Sequence, residues 1–187
     1  MPRAGLTPAA LVDAAAELAD AEGLESVTLA ELAKRLGVRP PSLYAHIDGL
    51  PDLRARLAER GAAQLADELA AATAGRSGGD ALRSLAQAYR GYALAHPGLY
   101  AALQQPAASQ PAADRVVSLA LAVLAGYGLE GEQALQMVRA LRSALHGFVS
   151  LEAQGGFGLP LPGGPQESFA AMVELLDRGL RARGSAG

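Results

Sequence analysis

Residues Thr28–Leu53 read TLAELAKRLGVRPPSLYAHIDGLPDL, and this stretch decides the fold. Thr28 is a good helix N-cap, and Glu31 three residues on completes a capping-box pattern that satisfies amides otherwise unpaired at a helix start. The spacing of Leu29, Leu32, Ala33 and Leu36 predicts one short helix with a single apolar face. Gly37 follows where a left-handed C-terminal cap is easiest for a residue without Cβ. Val38 and Arg39 then lead into Pro40 and Pro41, which lack amide donors and so suit a turn and a first helical position, not a helix interior. A second short helix is predicted from there, with Leu43 and Ile47 one turn apart as its buried face and Ser42, Tyr44, Ala45 and His46 pointing elsewhere. Ala33 lets the two helices approach, and Val38 plugs the corner between them. The pattern is a helix-turn-helix, which holds its second helix proud so that it can enter a DNA major groove.

Charge agrees locally. Between Glu31 and Asp48 the ionisable residues are Lys34, Arg35, Arg39 and His46, with no carboxylate among them, which suits a phosphate-facing patch. The chain as a whole carries 16 Lys and Arg against 19 Asp and Glu, a formal net charge of -3. That balance argues against non-specific coating of nucleic acid and for a site-specific binder with a small basic footprint. Three bases on the solvated face of a short helix pair are also ordinary, so the cap, the glycine, the turn and the apolar spacing carry more weight than charge.

Those residues also carry a family resemblance. The run GVRPPSLYAHIDGLPDL, Gly37 to Leu53, resembles the recognition-helix signature of the tetracycline-repressor-like (TetR) family of bacterial transcription regulators, in which a glycine and a valine lead into a helix bearing a tyrosine with an aromatic or histidine neighbour. Upstream, PAALVDAAAELADAEGLESVTLAELAKRLGV, Pro8 to Val38, continues the match across the first third of the chain. Two positions depart from it: Ile47 stands where the family commonly has phenylalanine, and Leu50 where it commonly has a lysine that meets DNA backbone. The resemblance implies an all-α fold of about nine helices. A three-helix helix-turn-helix DNA-binding domain would occupy residues 1–49, and an effector-binding and dimerisation domain residues 50–187.

Composition frames this reading. A chain of 187 residues, half of them hydrophobic, can bury a real core in one or two compact units. Cysteine is absent, which excludes disulfides, zinc-thiolate sites and cysteine nucleophiles. Alanine is abundant and strand-like alternation is hard to find, which predicts an all-helical protein. The longest apolar run, Val116 to Ala125, is too short to span a bilayer and the N-terminus lacks a signal-peptide core, so a cytoplasmic location without membrane contact is expected.

Along the chain, Thr7 and Pro8 predict a helix start, with Leu11, Ala14, Ala15 and Leu18 on one face and an end near Gly23. Val27 and Leu29 pack beneath. Arg3 precedes this helix in an arm that reads as a disordered end sooner than as a DNA contact. Leu53, Leu57, Leu65 and Leu69 predict a long helix from Leu50 to Ala74 that Gly61 weakens slightly, and GRSGG at Gly75 to Gly79 predicts a loop. A helix from Asp80 to about Ala95 follows, ended by Pro97. The segment HPGLY, His96 to Tyr100, looks like one that many TetR members carry between two effector-domain helices.

Tyr89, Tyr92, His96 and Tyr100 recur at spacings of three or four, and Pro97 must disturb the line. They read either as walls of a ligand pocket, with Met137 and His146 as further candidates, or as core aromatics whose polar tips are satisfied. For His146, a buried imidazole tied to backbone is the simpler alternative. His46, His96 and His146 never fall at ligand-like spacing with one another, so no metal and no cofactor is expected.

Further helices are predicted over about Ala112 to Tyr127, Glu130 to Gln154 and Gln166 to Arg183. Ala134, Val138, Leu141, Leu145 and Phe148 form a coiled-coil-like seam on the second of these, with Met137, Ala144 and Leu151 as another apolar face. Phe169, Val173, Leu176 and Leu180 repeat the device on the third. The two seams predict a four-helix bundle across a two-fold axis, the alternative being that both are spent within one subunit. The phrase LRSALHGFVSLEAQGGFGLP, Leu141 to Pro160, resembles a TetR subgroup with a histidine-glycine pair and a Gly-rich loop. Its glycines follow a helix and lack phosphate-loop spacing, and GxSxG, HExxH and P-loop signatures are missing, so no enzyme is expected.

The expectation is therefore a homodimeric repressor released from a pseudo-palindromic DNA operator by a small-molecule effector. Arg39, Pro40, Pro41, Ser42 and Ala45 are the candidates for base edges, and Thr28, Lys34, Tyr44 and His46 those for phosphates. A small-molecule-binding or interaction protein with a vestigial helix-turn-helix is the alternative, supported by Leu50.

Overall fold

The structure, a computed structural model, describes residues 6–105 and 111–184. Among the described residues eight α-helices follow one another: α1 (Pro8–Glu22), α2 (Leu29–Leu36), α3 (Gly49–Thr73), α4 (Gly78–Ala95), α5 (Pro97–Leu103), α6 (Pro111–Ala125), α7 (Gly131–Ala153) and α8 (Gly164–Gly184). Two 3₁₀ segments, Leu24–Ser26 and Pro40–Ala45, stand before and after α2. No strand occurs among the described residues. The proposed Arg3 arm lies outside them.

Two compact units are formed, one from the described residues of Met1–Gln64 and Ala95–Ala113, the other from those of Leu65–Leu94 and Asp114–Gly187. The first therefore reaches past residue 49, where the sequence suggested a boundary. Its core joins Leu11, Leu18, Leu24, Val27, Leu32, Leu43 and Ile47 to Leu53 and Leu57 of α3 and to Leu99 and Ala102 of α5. The HPGLY segment is part of the first unit, while the helices before and after it in the chain, α4 and α6, lie mostly in the second. Its glycine explains the packing: a Cβ on Gly98 would overlap the Ala19 carbonyl and come within 2.5 Å of Asp20 N. Across the same unit, a Cβ on Gly61 of α3 would stand 2.9 Å from Leu99 O. Both glycines permit a helix to pack on bare backbone.

In the second unit the expected seam residues Leu141, Leu145, Phe169, Val173 and Leu180 are buried within the single chain. Val138, Phe148 and Leu176 are half-buried, and the Phe148 ring lies 4.7 Å from Phe157 and 5.0 Å from Phe169. The bulkier stripe therefore faces inward, because burying its large side chains gains most. What remains open between α7 and α8 is a groove of about 240 Å³ lined by Met137, Ala140, Leu175, Leu176, Gly179 and Arg183 with the edges of Leu141 and Leu180.

Two polar clusters stiffen this unit. Arg90 donates to both Glu152 carboxylate oxygens at 2.5 and 2.7 Å, also reaches Gln166, and lies 5.2 Å over the Phe169 ring. The guanidinium holds the Glu152 carboxyl below the usual carboxylate range. The Tyr127 hydroxyl donates to Asp177 at 2.5 Å, and Arg181 donates to the other oxygen at 3.0 Å. Burial, then that carboxylate, pushes the Tyr127 phenol well above its ordinary value.

Candidate nucleic-acid interface

The reading head is assembled by local rules. The Thr28 hydroxyl accepts from Glu31 N at 3.2 Å, so the N-cap forms. The Glu31 carboxylate accepts from Lys34 at 3.3 Å instead of completing the box. Gly37 takes φ 66°, the left-handed cap, and Val38 N returns to Ala33 O at 2.9 Å. Arg39 is extended, and the chain enters the Pro40–Ala45 segment, which is 3₁₀ in place of the expected second α-helix. Adjacent prolines remove two donors at its start, where Ser42 N donates to Arg39 O at 2.9 Å, and at its end His46 N donates to Leu43 O at 2.9 Å. Ile47 N also reaches Leu43 O at 3.2 Å, so a single α-type turn closes the element.

Leu43 and Ile47 anchor this turn in the core, being 0% and 3% exposed, while Tyr44 is 61% exposed. Thr28, Lys34, Arg39, Pro40, Pro41, Ser42 and Ala45 are exposed with it, and His46 is half-buried. Apart from Thr28 and Lys34, all the residues assigned to DNA therefore lie between Arg39 and His46. Arg39 has no ion-pair partner among the described residues. Arg35, in contrast, is held 3.7 Å from Glu17 and 4.0 Å from Glu22. A guanidinium without a carboxylate is the group free to take a guanine edge or a phosphate.

The turn is braced behind. Asp52, in the first turn of α3, accepts from Asp48 N at 3.0 Å and from Arg56 Nε at 3.0 Å, and the Arg56 bond, followed by that amide, lowers the Asp52 carboxyl. Arg54 bonds Glu25 at 3.1 Å, tying α3 to the segment before α2. The Leu50 side chain packs on the core, so it serves the fold.

Sequence reasoning missed Asp20. One carboxylate oxygen accepts from Gly98 N at 2.9 Å and Leu99 N at 3.0 Å, and the other lies 3.0 Å from His96 Nδ1. No local pattern marks that pairing, although a glycine inside each of two helical stretches, Gly61 and Gly98, signals close packing.

The expected ligand-pocket residues come from both units. Tyr89 and Tyr92 are buried in the second unit, and His96 and Tyr100 fall in the first. Met137 lines the groove between α7 and α8. His146 is half-buried on α7, where burial and then Arg142 lower its imidazole.

Comparison with known proteins bears on the same segments. A sequence model of bacterial regulatory proteins of the tetR family matches residues 11–47, and one of the tetracyclin repressor-like C-terminal domain matches residues 82–176. The uncharacterized HTH-type transcriptional regulator YobS of Bacillus subtilis (strain 168) is 46% identical over 160 residues, 83% of this chain and 84% of YobS.

The chain belongs to the tetR family.

Solved tetR-like folds cover nearly all of it. A protein of unknown function from Rhodococcus sp. RHA1 matches with a TM-score of 0.78 at 25% identity, over 95% of this chain and 96% of that one. A single-substitution TetR variant from Acinetobacter baumannii AYE, in complex with minocycline, matches with a TM-score of 0.73 at 24% identity, over 95% and 98%. At that identity the likeness concerns the fold. This tetR-family chain is a DNA-binding transcriptional regulator, and the family assignment points away from an enzyme. No helix among its described residues is long and apolar enough to cross a membrane.

Proposed function

We propose that the chain acts as a homodimeric repressor that grips a pseudo-palindromic operator and leaves it when a small molecule binds. The observation that carries the reading is the turn Arg39–His46, anchored by Leu43 and Ile47 yet presenting Arg39, Ser42 and Tyr44 to solvent. Arg39, Pro40, Pro41, Ser42 and Ala45 contact base edges; Thr28, Lys34, Tyr44 and His46 contact phosphates.

Two copies join through the open groove of α7 and α8, to which the expected seams contribute Leu176 and the edges of Leu141 and Leu180. Ala140 and Gly179 keep its floor low, and Met137, Leu175 and Leu176 supply apolar surface for a second helix pair. Two-fold joining sets half-sites about 34 Å apart or a multiple of it.

The Acinetobacter baumannii TetR variant is a complex with minocycline, which supports a small-molecule effector here in kind, not in identity. Tyr89, Tyr92 and His146 are the candidate contacts in the second unit. A coupling of about 1 to 3 kcal/mol weakens DNA binding about five- to 150-fold. The His146-Gly147 pair with the Gly-rich linker supports membership of the subgroup whose sequences share them.

The test is fluorescence anisotropy on the intergenic DNA beside the chain's own gene, against a scrambled duplex and across a range of salt. Preference for the native duplex, falling as salt rises, is the expected result. Equal weak binding to both, repeated with duplexes drawn from random sequence, would favour a small-molecule-binding protein with a vestigial head.

A further inference from the structure

Asp20 lies on α1, outside the set of residues assigned to DNA, and its carboxylate does three things at once. It accepts from the amides of Gly98 and Leu99 at 2.9 and 3.0 Å and pairs with His96 Nδ1 at 3.0 Å. Amides at a helix start have no partner within their own helix. Here α1 supplies it, from a residue 78 positions earlier in the chain than Gly98. With only seven residues, α5 is too short to persist as an isolated helix in water. Its place is set by this carboxylate and by the bare-backbone packing of Gly98 on Ala19 and of Gly61 on Leu99.

What α5 contributes explains why the latch matters. Leu99 and Ala102, each 2% exposed, belong to the same core as Leu24, Leu32, Leu43 and Ile47. Leu43 and Ile47 are the anchors of the DNA-facing turn. α5 packs on α1 and on the Leu24–Ser26 segment, so if it leaves, the core that these share with the turn loses two of its members.

We infer that Asp20 is a positioning residue for DNA reading: by latching the start of α5 to α1 it keeps Leu99 and Ala102 in the head's core and so holds the Arg39–His46 turn in its binding form. This inference rests on the chain's being a DNA-binding regulator.

The alternative role predicts the opposite sign. A carboxylate with no positioning role only repels phosphate, so removing it leaves DNA affinity unchanged or raises it. Removing a latch lowers affinity in proportion to the fraction of heads still ordered, without changing which phosphates are met. The experiment uses the full-length protein and a duplex enriched from random sequence by the wild type, with anisotropy across salt at a temperature well below unfolding, and amide hydrogen exchange alongside.

Asp20→Asn should weaken binding about tenfold with the same slope of affinity against salt, and should speed exchange at Gly98 and Leu99. His96→Asn removes one arm of the latch and should weaken binding about two- to threefold, which keeps the idea testable if the first variant does not fold. Unchanged or tighter DNA binding by a folded Asp20→Asn, or exchange at Gly98 and Leu99 no faster than in the wild type, would overturn the inference. A shallower salt slope would overturn it too, because it would make Asp20 part of the phosphate-facing surface. If the wild type enriches no duplex, the DNA-binding reading fails first; faster exchange in the variant would then leave the latch as a feature of the fold only.

Discussion

Gly98→Ala should be among the most damaging single methyl additions this chain can suffer. The new Cβ would overlap the Ala19 carbonyl and meet Asp20 N at 2.5 Å, and both obstacles are backbone, so neither can swing aside. To restore ordinary contact α5 must retreat by about 1 Å. That movement stretches the bonds from Gly98 N and Leu99 N to Asp20, now 2.9 and 3.0 Å, past useful hydrogen-bond length. Overpacking costs about 1–3 kcal/mol, and each bond to a charged group contributes about 1.5–3 kcal/mol. Relief of glycine's helix penalty returns at most about 1 kcal/mol. The net loss is about 3–8 kcal/mol.

Gly91→Ala is the control. Gly91 lies inside α4, exposed, with nothing within 4 Å of a Cβ added there, so the same chemical change should stabilise by about 0.5–1 kcal/mol. Urea titrations followed by circular dichroism measure both. A Gly98→Ala protein that loses less than about 1 kcal/mol, or a pair of variants that shift in the same direction, would refute the reasoning from close packing.

Three further outcomes are expected. Tyr44→Ala, at a side chain 61% exposed, should weaken DNA binding across sequences by about fivefold or more while leaving the urea midpoint unchanged; anisotropy and the same titrations check it. Gly179→Arg should leave the subunit folded, since nothing lies within 4 Å of its Cβ, yet give a monomer in sedimentation equilibrium, because the guanidinium fills the groove that a second copy would occupy. The third concerns acid. Burial and Arg142 lower the His146 imidazole from 6.5, so the unfolded chain binds the proton more readily than the folded one. Stability should then be full above about pH 6.5 and fall as pH drops below it, and His146→Gln should flatten that fall in denaturation midpoints measured from about pH 5 to 8.

Much of the head is legible because its determinants are local. Thr28, Gly37 and the prolines at 40 and 41 act within a few residues of themselves, and the structure shows the caps at Thr7 and Thr28 and the stops at Gly23 and Gly37 where the sequence implies them. The type of the second element was less legible, because a Leu43–Ile47 spacing fits an α-turn or a 3₁₀ segment closed by one α-type bond. The seams of α7 and α8 show the limit most clearly. A spacing of three and four says that a face is apolar, but not whether its partner is the same chain or another, and α7 has two such faces. Side-chain bulk separates them: Leu141, Leu145 and Phe169 fill the subunit, and the flatter face with Ala140 and Gly179 stays open. The place of α5 was beyond local pattern, since it depends on Asp20 and on two glycines distant in sequence.

The first unit takes its residues from two separate stretches of chain, and this bears on how the protein is made. During synthesis α1, α2 and the start of α3 emerge early, but Leu99 and Ala102 are still to come, so the core cannot close when the helix-turn-helix alone has left the ribosome. The residues between Leu65 and Leu94 must first be spun out as a loop, whose closure costs entropy before the contacts repay it. The reading head is then completed only after about half of the chain exists, and a shorter nascent chain lacks part of the core on which its DNA-facing turn rests.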